Sequence, residues 1–170
     1  METLFSNIDK NREKVVCWFD GACGPNNPGG YLGMGIIVYQ GGEYYTKFEG
    51  EKKRIINSNN VAEYKAFIMV LERIGDLKGK DITIYGDSNL VIQQMKGLWK
   101  IKGGMYKEYA LQAKAIMKMI TTNNDVSLEW IPRESNEEAD NLSNEGILKV
   151  CPDYVGFKPY YQKRKKKFVC

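Results

Sequence analysis

An α/β fold, with a five-stranded mixed sheet flanked by four helices, follows from three features of the 170-residue sequence. Short β-branched and aromatic runs recur, as in KVVCWFD (14–20), DITIYGD (81–87) and VSLEWIP (126–132). Longer stretches, such as 59–74 and 105–120, carry apolar residues at helical spacing. A glycine pair at Gly41-Gly42 joins two further strand-like runs. Strands separated by a helix pair in parallel and strands joined by a tight glycine turn pair antiparallel, so the sheet is mixed.

KVVCWFD reads as a buried strand, and GACGPNNPGG (21–30), dense in Gly, Pro and Asn, as a turn. YLGMGIIVYQ (31–40) and EYYTKFEGE (43–51) form a hairpin across the glycine pair. In NNVAEYKAFIMVLERI (59–74), Phe67, Val70 and Ile74 fall on one helical face, with Ala66 and Leu71 beside them. DITIYGD follows as a fourth strand, parallel to a neighbour because a helix precedes it. SNLVIQQMKG (88–97) is helical up to Gly97, and 105–120 is a long helix with Tyr106, Tyr109, Ala113, Ile116 and Ile120 on one side. VSLEWIP is the fifth strand, ended by Pro132. Ser135 and Glu138 have capping-box spacing, which predicts a last helix over about 136–148. The order is β-β-β-α-β-α-α-β-α.

Composition narrows the chemistry. Histidine is absent, which excludes Ser-His-Asp and Cys-His nucleophile systems, His-ligated zinc and HExxH proteases. The net charge of +4 is unevenly spread. Six of the 25 bases, Lys158, Lys163, Arg164, Lys165, Lys166 and Lys167, lie in a terminal stretch without acids, leaving 19 bases against 21 acids before it. The body is therefore about −2, and only the tail invites a phosphate-binding argument; a solvated tail needs no function. The cysteines Cys17, Cys23, Cys151 and Cys170 form no CxxC pair. The opening METLFSNIDKNREK lacks the apolar core of a signal peptide, and no apolar run is long enough to span a membrane. A reducing cytoplasm with free thiols, and no membrane partner, is the expectation.

Acids then interrupt the apolar patterns. Asp20 ends the first strand on the face of Val16 and Trp18, and Asp87 ends the fourth on the face of Tyr85. Either could simply cap the turn that follows. Glu63 lies one turn before Phe67 and extends an apolar helix stripe, although an acid there also suits the helix N-terminus. Asp140 sits in the last helix, one turn after the capping box, and alone would be an ordinary exposed acid. Gathered at one sheet edge, these four would repel each other unless cations held them. Oxygen-only ligands select Mg²⁺ or Mn²⁺, and two such ions about 3.5–4 Å apart suit phosphodiester hydrolysis.

Four segments, DGACGPNNPGG (20–30), NNVAEYKAF (59–67), IYGDSNLVIQQMKG (84–97) and WIPRESNEEADNLSNEG (130–146), closely resemble type 1 ribonuclease H. The resemblance covers roughly 14–148 and implies a ribonuclease H-like fold, with a domain over 1–151 and a basic tail over 152–170. It implies endonucleolytic cleavage of the RNA strand of an RNA–DNA hybrid duplex, leaving 3′-hydroxyl and 5′-phosphate ends. Asp20, Glu63, Asp87 and Asp140 match the family's acids that bind two Mg²⁺ ions, with Mn²⁺ as a substitute, and Asp20 matches the bridging position. Asn59, Asn60 and Asn89 match positions that sense the 2′-hydroxyl or contact the DNA strand, while Ser58 matches a DNA phosphate pocket and Asn27 the first loop. Ser88 falls in the same DSN motif. Asn59-Asn60 as a helix cap is the plainer reading. A monomer is expected.

The sequence also departs from the family. The mobile histidine before the last acid is missing, and Arg133, within WxPRExN, takes its place as in one branch of the family. A guanidinium holds a phosphate but cannot serve as a base. The basic, Trp-rich protrusion of some relatives shrinks to GLWKIKGGMYK (97–107), where Trp99 is either a remnant substrate contact or ordinary packing. Transposases, integrases and junction resolvases share the sheet-and-acid plan, but the NNVAE and DSN motifs favour a hybrid reader.

Overall fold

A computed structural model describes residues 12–155. The basic cluster of the tail lies outside the described residues. Five strands and four helices follow in the expected order: β1 (Lys14–Gly24), β2 (Tyr31–Gln40), β3 (Glu43–Glu51), α1 (Asn59–Ile74), β4 (Asp81–Gly86), α2 (Asn89–Met95), α3 (Lys107–Asn123), β5 (Asp125–Trp130) and α4 (Glu137–Val150), with a 3₁₀ turn at Arg133–Ser135. The strands lie in the order β3-β2-β1-β4-β5. β1–β2 and β2–β3 are antiparallel, whereas β1–β4 and β4–β5 are parallel. No described helix is long and apolar enough to cross a membrane.

The alternation of β1 sorts its side chains onto two faces. Val15, Cys17 and Phe19 are fully buried against Phe67, Val70, Leu71 and Ile74 of α1, together with Ile82 and Ile84 of β4. Burying one such large apolar side chain contributes roughly 1.5–3 kcal/mol, so this layer is the main stabilising element. Behind α1, the rings of Tyr64 and Tyr106 stack at 5.6 Å. The Tyr64 hydroxyl donates to Gln94 Oε1 at 2.5 Å, and Gln94 Nε2 donates to the Lys100 carbonyl at 3.1 Å. That buried amide ties α2, and the loop carrying Trp99, to α1.

Two local expectations need correction. β1 runs four residues past Asp20, because Gly21–Gly24 continue the ladder with Met34–Tyr31. Their small side chains hide a strand that composition reads as a turn. One reason for the glycine is contact: a Cβ on Gly21 would lie 2.2 Å from the backbone of Ala62 and Glu63. The Ser135–Glu138 capping box does not form. Ser135 is spent in the 3₁₀ turn, and Asn136 stands at the N-cap of α4 without a side-chain capping bond.

The opposite face of the sheet receives α4 at similarly close range. A Cβ on Gly33 would lie 1.8 Å from the Ser143 carbonyl oxygen, one on Gly35 2.5 Å from Ser143 N, and one on Gly50 1.8 Å from the Gly146 carbonyl oxygen. Only glycines permit helix backbone to rest on strand backbone here. Gly33→Ala is expected to push α4 outward and cost roughly 1–3 kcal/mol, lowering the urea midpoint. Gly103→Ala, which meets nothing within 4 Å, should leave that midpoint unchanged.

Candidate active site

The last rung between β1 and β4 pairs Phe19 with Gly86, and beyond it the two strands part. Asp20 and Asp87 are the next residues on each strand, so both face the notch. Gly21 lets α1 settle against β1 and brings Glu63 to the same place. Oxygens of Asp20, Glu63 and Asp87 lie within 4.8 Å of one another. Asp20 is only 5% exposed. The Oε2 of Glu63 is buried and has no hydrogen-bond partner.

Burial pushes the carboxyl of Asp20 up to about 7, with the charges of Asp87 and Asp140 adding to the rise and a hydrogen bond from Ser143 opposing it. Burial also raises Glu63 well above the usual carboxylate range, reinforced by Asp20 and Asp87. An orphaned buried carboxylate oxygen inside a self-repelling set is costly without a counter-charge. The donor set, all oxygen and hard, fits a divalent cation.

Asp140 stands outside this three-membered group. Arg133 Nη2 donates to its Oδ1 at 2.5 Å, with the guanidinium side chain 73% exposed. Asn144 Nδ2 donates to Asp140 Oδ2 at 3.3 Å. The four acids expected at one edge are thus three in contact and a fourth held by arginine.

Sequence reasoning missed a second layer of polar residues. Asn136, 2% exposed, donates through Nδ2 to the Phe19 carbonyl at 2.9 Å and to Asp87 Oδ1 at 3.3 Å. It therefore occupies the carbonyl that β1 exposes where β4 departs. Fully buried Ser143 donates to Asp20 Oδ2. Asn136, Asp140 and Ser143 fall at i, i+4 and i+7, so polar residues at core spacing on α4 were the available signal.

The remaining candidates lie on the 25–30 loop, at the starts of α1 and α2, and on the connection between α2 and α3. Ser58 is the true N-cap of α1, its Oγ accepting from Val61 N at 3.3 Å. Asn59 N donates to Asn27 Oδ1 at 3.0 Å, and Cys23 N donates to Asn59 Oδ1 at 2.9 Å. These two amides stitch the 25–30 loop and the end of β1 to the helix start. Asn57, also missed, anchors the same loop from its buried amide, donating to the carbonyls of Gly30 at 2.8 Å and Lys52 at 3.0 Å. Asn60 and Asn89 are exposed on the first turns of α1 and α2, and Ser88 is the N-cap residue of α2. Trp99, 47% exposed, edges a groove of about 400 Å³ with Leu98, Lys100, Lys102 and Tyr106.

A family model described as reverse transcriptase-like matches residues 18–146, a span that contains all four acids. The structure of RNase H1 from Halobacterium salinarum is 31% identical, covers 78% of this chain and 96% of its own, and superposes with a TM-score of 0.65. The chain belongs to the type 1 ribonuclease H family. The N-terminal RNase H domain of a Mycobacterium tuberculosis protein is 28% identical, with a TM-score of 0.71 over 82% of this chain and 97% of that one. LC11-RNase H1, solved in complex with an RNA/DNA hybrid, is 29% identical, with a TM-score of 0.68 over 80% and 98%. The chain spans only 35% of the full-length mycobacterial relative and 64% of the Halobacterium ribonuclease HI.

Within this ribonuclease H fold, the raised carboxyl of Asp20 has a measurable sign. A group whose folded pKa rises from 3.8 to about 7 resists ionisation in the fold, so stability falls as pH climbs through that window. In EDTA, Asp20→Asn should therefore melt several degrees above wild type at about pH 8 and show little gain at about pH 4. Thermal scans at the two pH values check this.

Proposed function

We propose that the chain is a divalent-metal-dependent ribonuclease H that cleaves the RNA strand of RNA–DNA hybrids, leaving 5′-phosphate and 3′-hydroxyl ends. The observation that carries this reading is the convergence of Asp20, Glu63 and Asp87 oxygens within 4.8 Å of one another, together with the unpartnered Glu63 Oε2. Asp20, Glu63 and Asp87 would hold Mg²⁺, with Mn²⁺ as a substitute, and Asp140 would join them once released by Arg133. Bound there, two ions supply water activation and stabilisation of the leaving oxygen in an in-line displacement at phosphorus.

The chain's own residues then do three things. Arg133, permanently charged, neutralises the scissile or product phosphate, and in exchanging Asp140 for phosphate it frees the fourth carboxylate. Asn27 and Asn59 already use their Oδ1 atoms on backbone N–H groups, which leaves their Nδ2 groups as donors toward the duplex. With Ser58, Asn60, Ser88 and Asn89 they form a polar edge suited to ribose 2′-hydroxyls and DNA phosphates in a minor groove. Trp99 offers an apolar face to the DNA strand at the far side. A hybrid duplex is the substrate that uses all of these groups at once.

The test is a labelled strand in an RNA–DNA hybrid and in the matching DNA duplex. Cleavage of the hybrid RNA alone, abolished by EDTA and reduced roughly a thousandfold or more by Asp87→Asn, is expected. An intact hybrid under both Mg²⁺ and Mn²⁺ sinks the assignment. For Arg133→Ala, single-turnover cleavage should slow about tenfold or more, while a Mg²⁺ titration followed by melting temperature shows binding at least as tight as wild type. Loss of metal binding in this variant would instead place Arg133 in the structure of the cluster.

A further inference from the structure

Ser143 lies on α4, one turn beyond Asp140, and is fully buried. Its hydroxyl reaches across to Asp20 Oδ2 on β1. The same oxygen lies 2.9 Å from the carbonyl of Asp140, a common back-bond within a helix. One hydroxyl hydrogen serves only one of these acceptors, and the carboxylate, once ionised, is the stronger.

The reach depends on the sheet beneath. Gly35 is the cross-strand partner of Asp20, and the Ser143 backbone sits directly on Gly33 and Gly35. Helix α4 is therefore held at a fixed height above the strand next to Asp20, in register with its carboxylate. Neither Asn136 nor Asn144 bonds to Asp20: they serve Asp87 and Asp140 respectively. Each of these three acids thus has its own polar contact from α4 or its N-cap residue, and that of Asp20 is the most buried.

We propose that Ser143 is a positioning residue for the metal site: its hydroxyl engages one oxygen of Asp20 and sets the carboxylate's rotation, so that the other oxygen faces Glu63 and Asp87. This rests on the reading of Asp20 as a metal ligand. Hydrogen bonds of this kind, from residues behind the ligands, typically govern metal affinity by 10- to 100-fold. Ser143 touches neither substrate nor reacting atoms, so its effect must appear through the metal.

Ser143→Ala removes the hydroxyl and keeps a good helix former. The measurement is Mn²⁺ binding to the full-length protein without substrate, by calorimetry or electron paramagnetic resonance, together with kcat and KM for a hybrid at saturating Mg²⁺. The expected result is a dissociation constant for Mn²⁺ raised about tenfold, with KM for the hybrid unchanged. Metal affinity equal to wild type, even with a lower melting temperature, would show Ser143 to be packing alone and overturn the proposal. Where Ser143→Ala fails to fold, Ser143→Cys replaces it, filling the site with a weak donor. It must show the same weakening, and wild-type affinity there overturns the proposal equally. The underlying metal reading fails separately: wild type would then bind no Mn²⁺, and Asp20→Asn would not alter the titration.

Discussion

Backbone resting on backbone sets how the two acid-bearing helices meet the sheet. On one face, α1 meets β1 at Gly21; on the other, α4 meets β2 and β3 at Gly33, Gly35 and Gly50. Each contact excludes a Cβ outright, so helix height is not adjustable by side-chain rotation. Glu63 enters from the first face and Asp140, Ser143 and Asn136 from the second. Asp20 lies between them on β1, which touches both helices. The site is built from a sandwich whose thickness is fixed at its thinnest point.

That fixed thickness has an electrostatic cost. Asp20 is buried, Glu63 presents an oxygen to no partner, and Asp87 lies within reach of both. In a folded chain such a cluster is tolerable only where stabilisation elsewhere exceeds the repulsion, which the apolar layer between α1 and the sheet provides. The polar residues behind the acids reduce the cost by donating hydrogen bonds, and Arg133 reduces it by charge. Charge relief thus comes from the 3₁₀ turn that carries Arg133, and most of the hydrogen bonds to the acids come from α4 and its N-cap residue just beyond it.

The fold was legible because its periodicities were unambiguous. Alternating strands, the glycine hairpin and the helical stripes gave the right element order and a mixed sheet. Boundaries failed where small residues carried the structure: Gly21–Gly24 look like a turn by composition but pair as strand, since pairing needs only backbone. The capping box at Ser135–Glu138 failed because a local pattern was overridden by Asn136, whose side chain is drawn inward to the Phe19 carbonyl. The acids were found because an acid on an apolar face is conspicuous. Ser143 and Asn136 were not, since a small polar residue within a helix has many ordinary uses, and only the packing of α4 reveals where they point.

The absence of histidine acquires a specific meaning at the position of Arg133. An imidazole near the last acid would gain and lose charge around neutrality, whereas a guanidinium stays charged throughout. The arginine therefore keeps its hold on Asp140 by charge, and a competing anion or cation is what displaces it. A phosphate competes for the arginine and a divalent ion competes for the aspartate, and each displacement favours the other. Under the proposed function, binding of substrate and of metal would be coupled through this one ion pair, by the reciprocity that any shared contact imposes. The exposed side of the pair is the arginine, at 73%, and the shielded side is the aspartate, at 19%. Under the proposed function, the exposed arginine is the side a duplex phosphate would reach first, and its arrival would make the fourth carboxylate available.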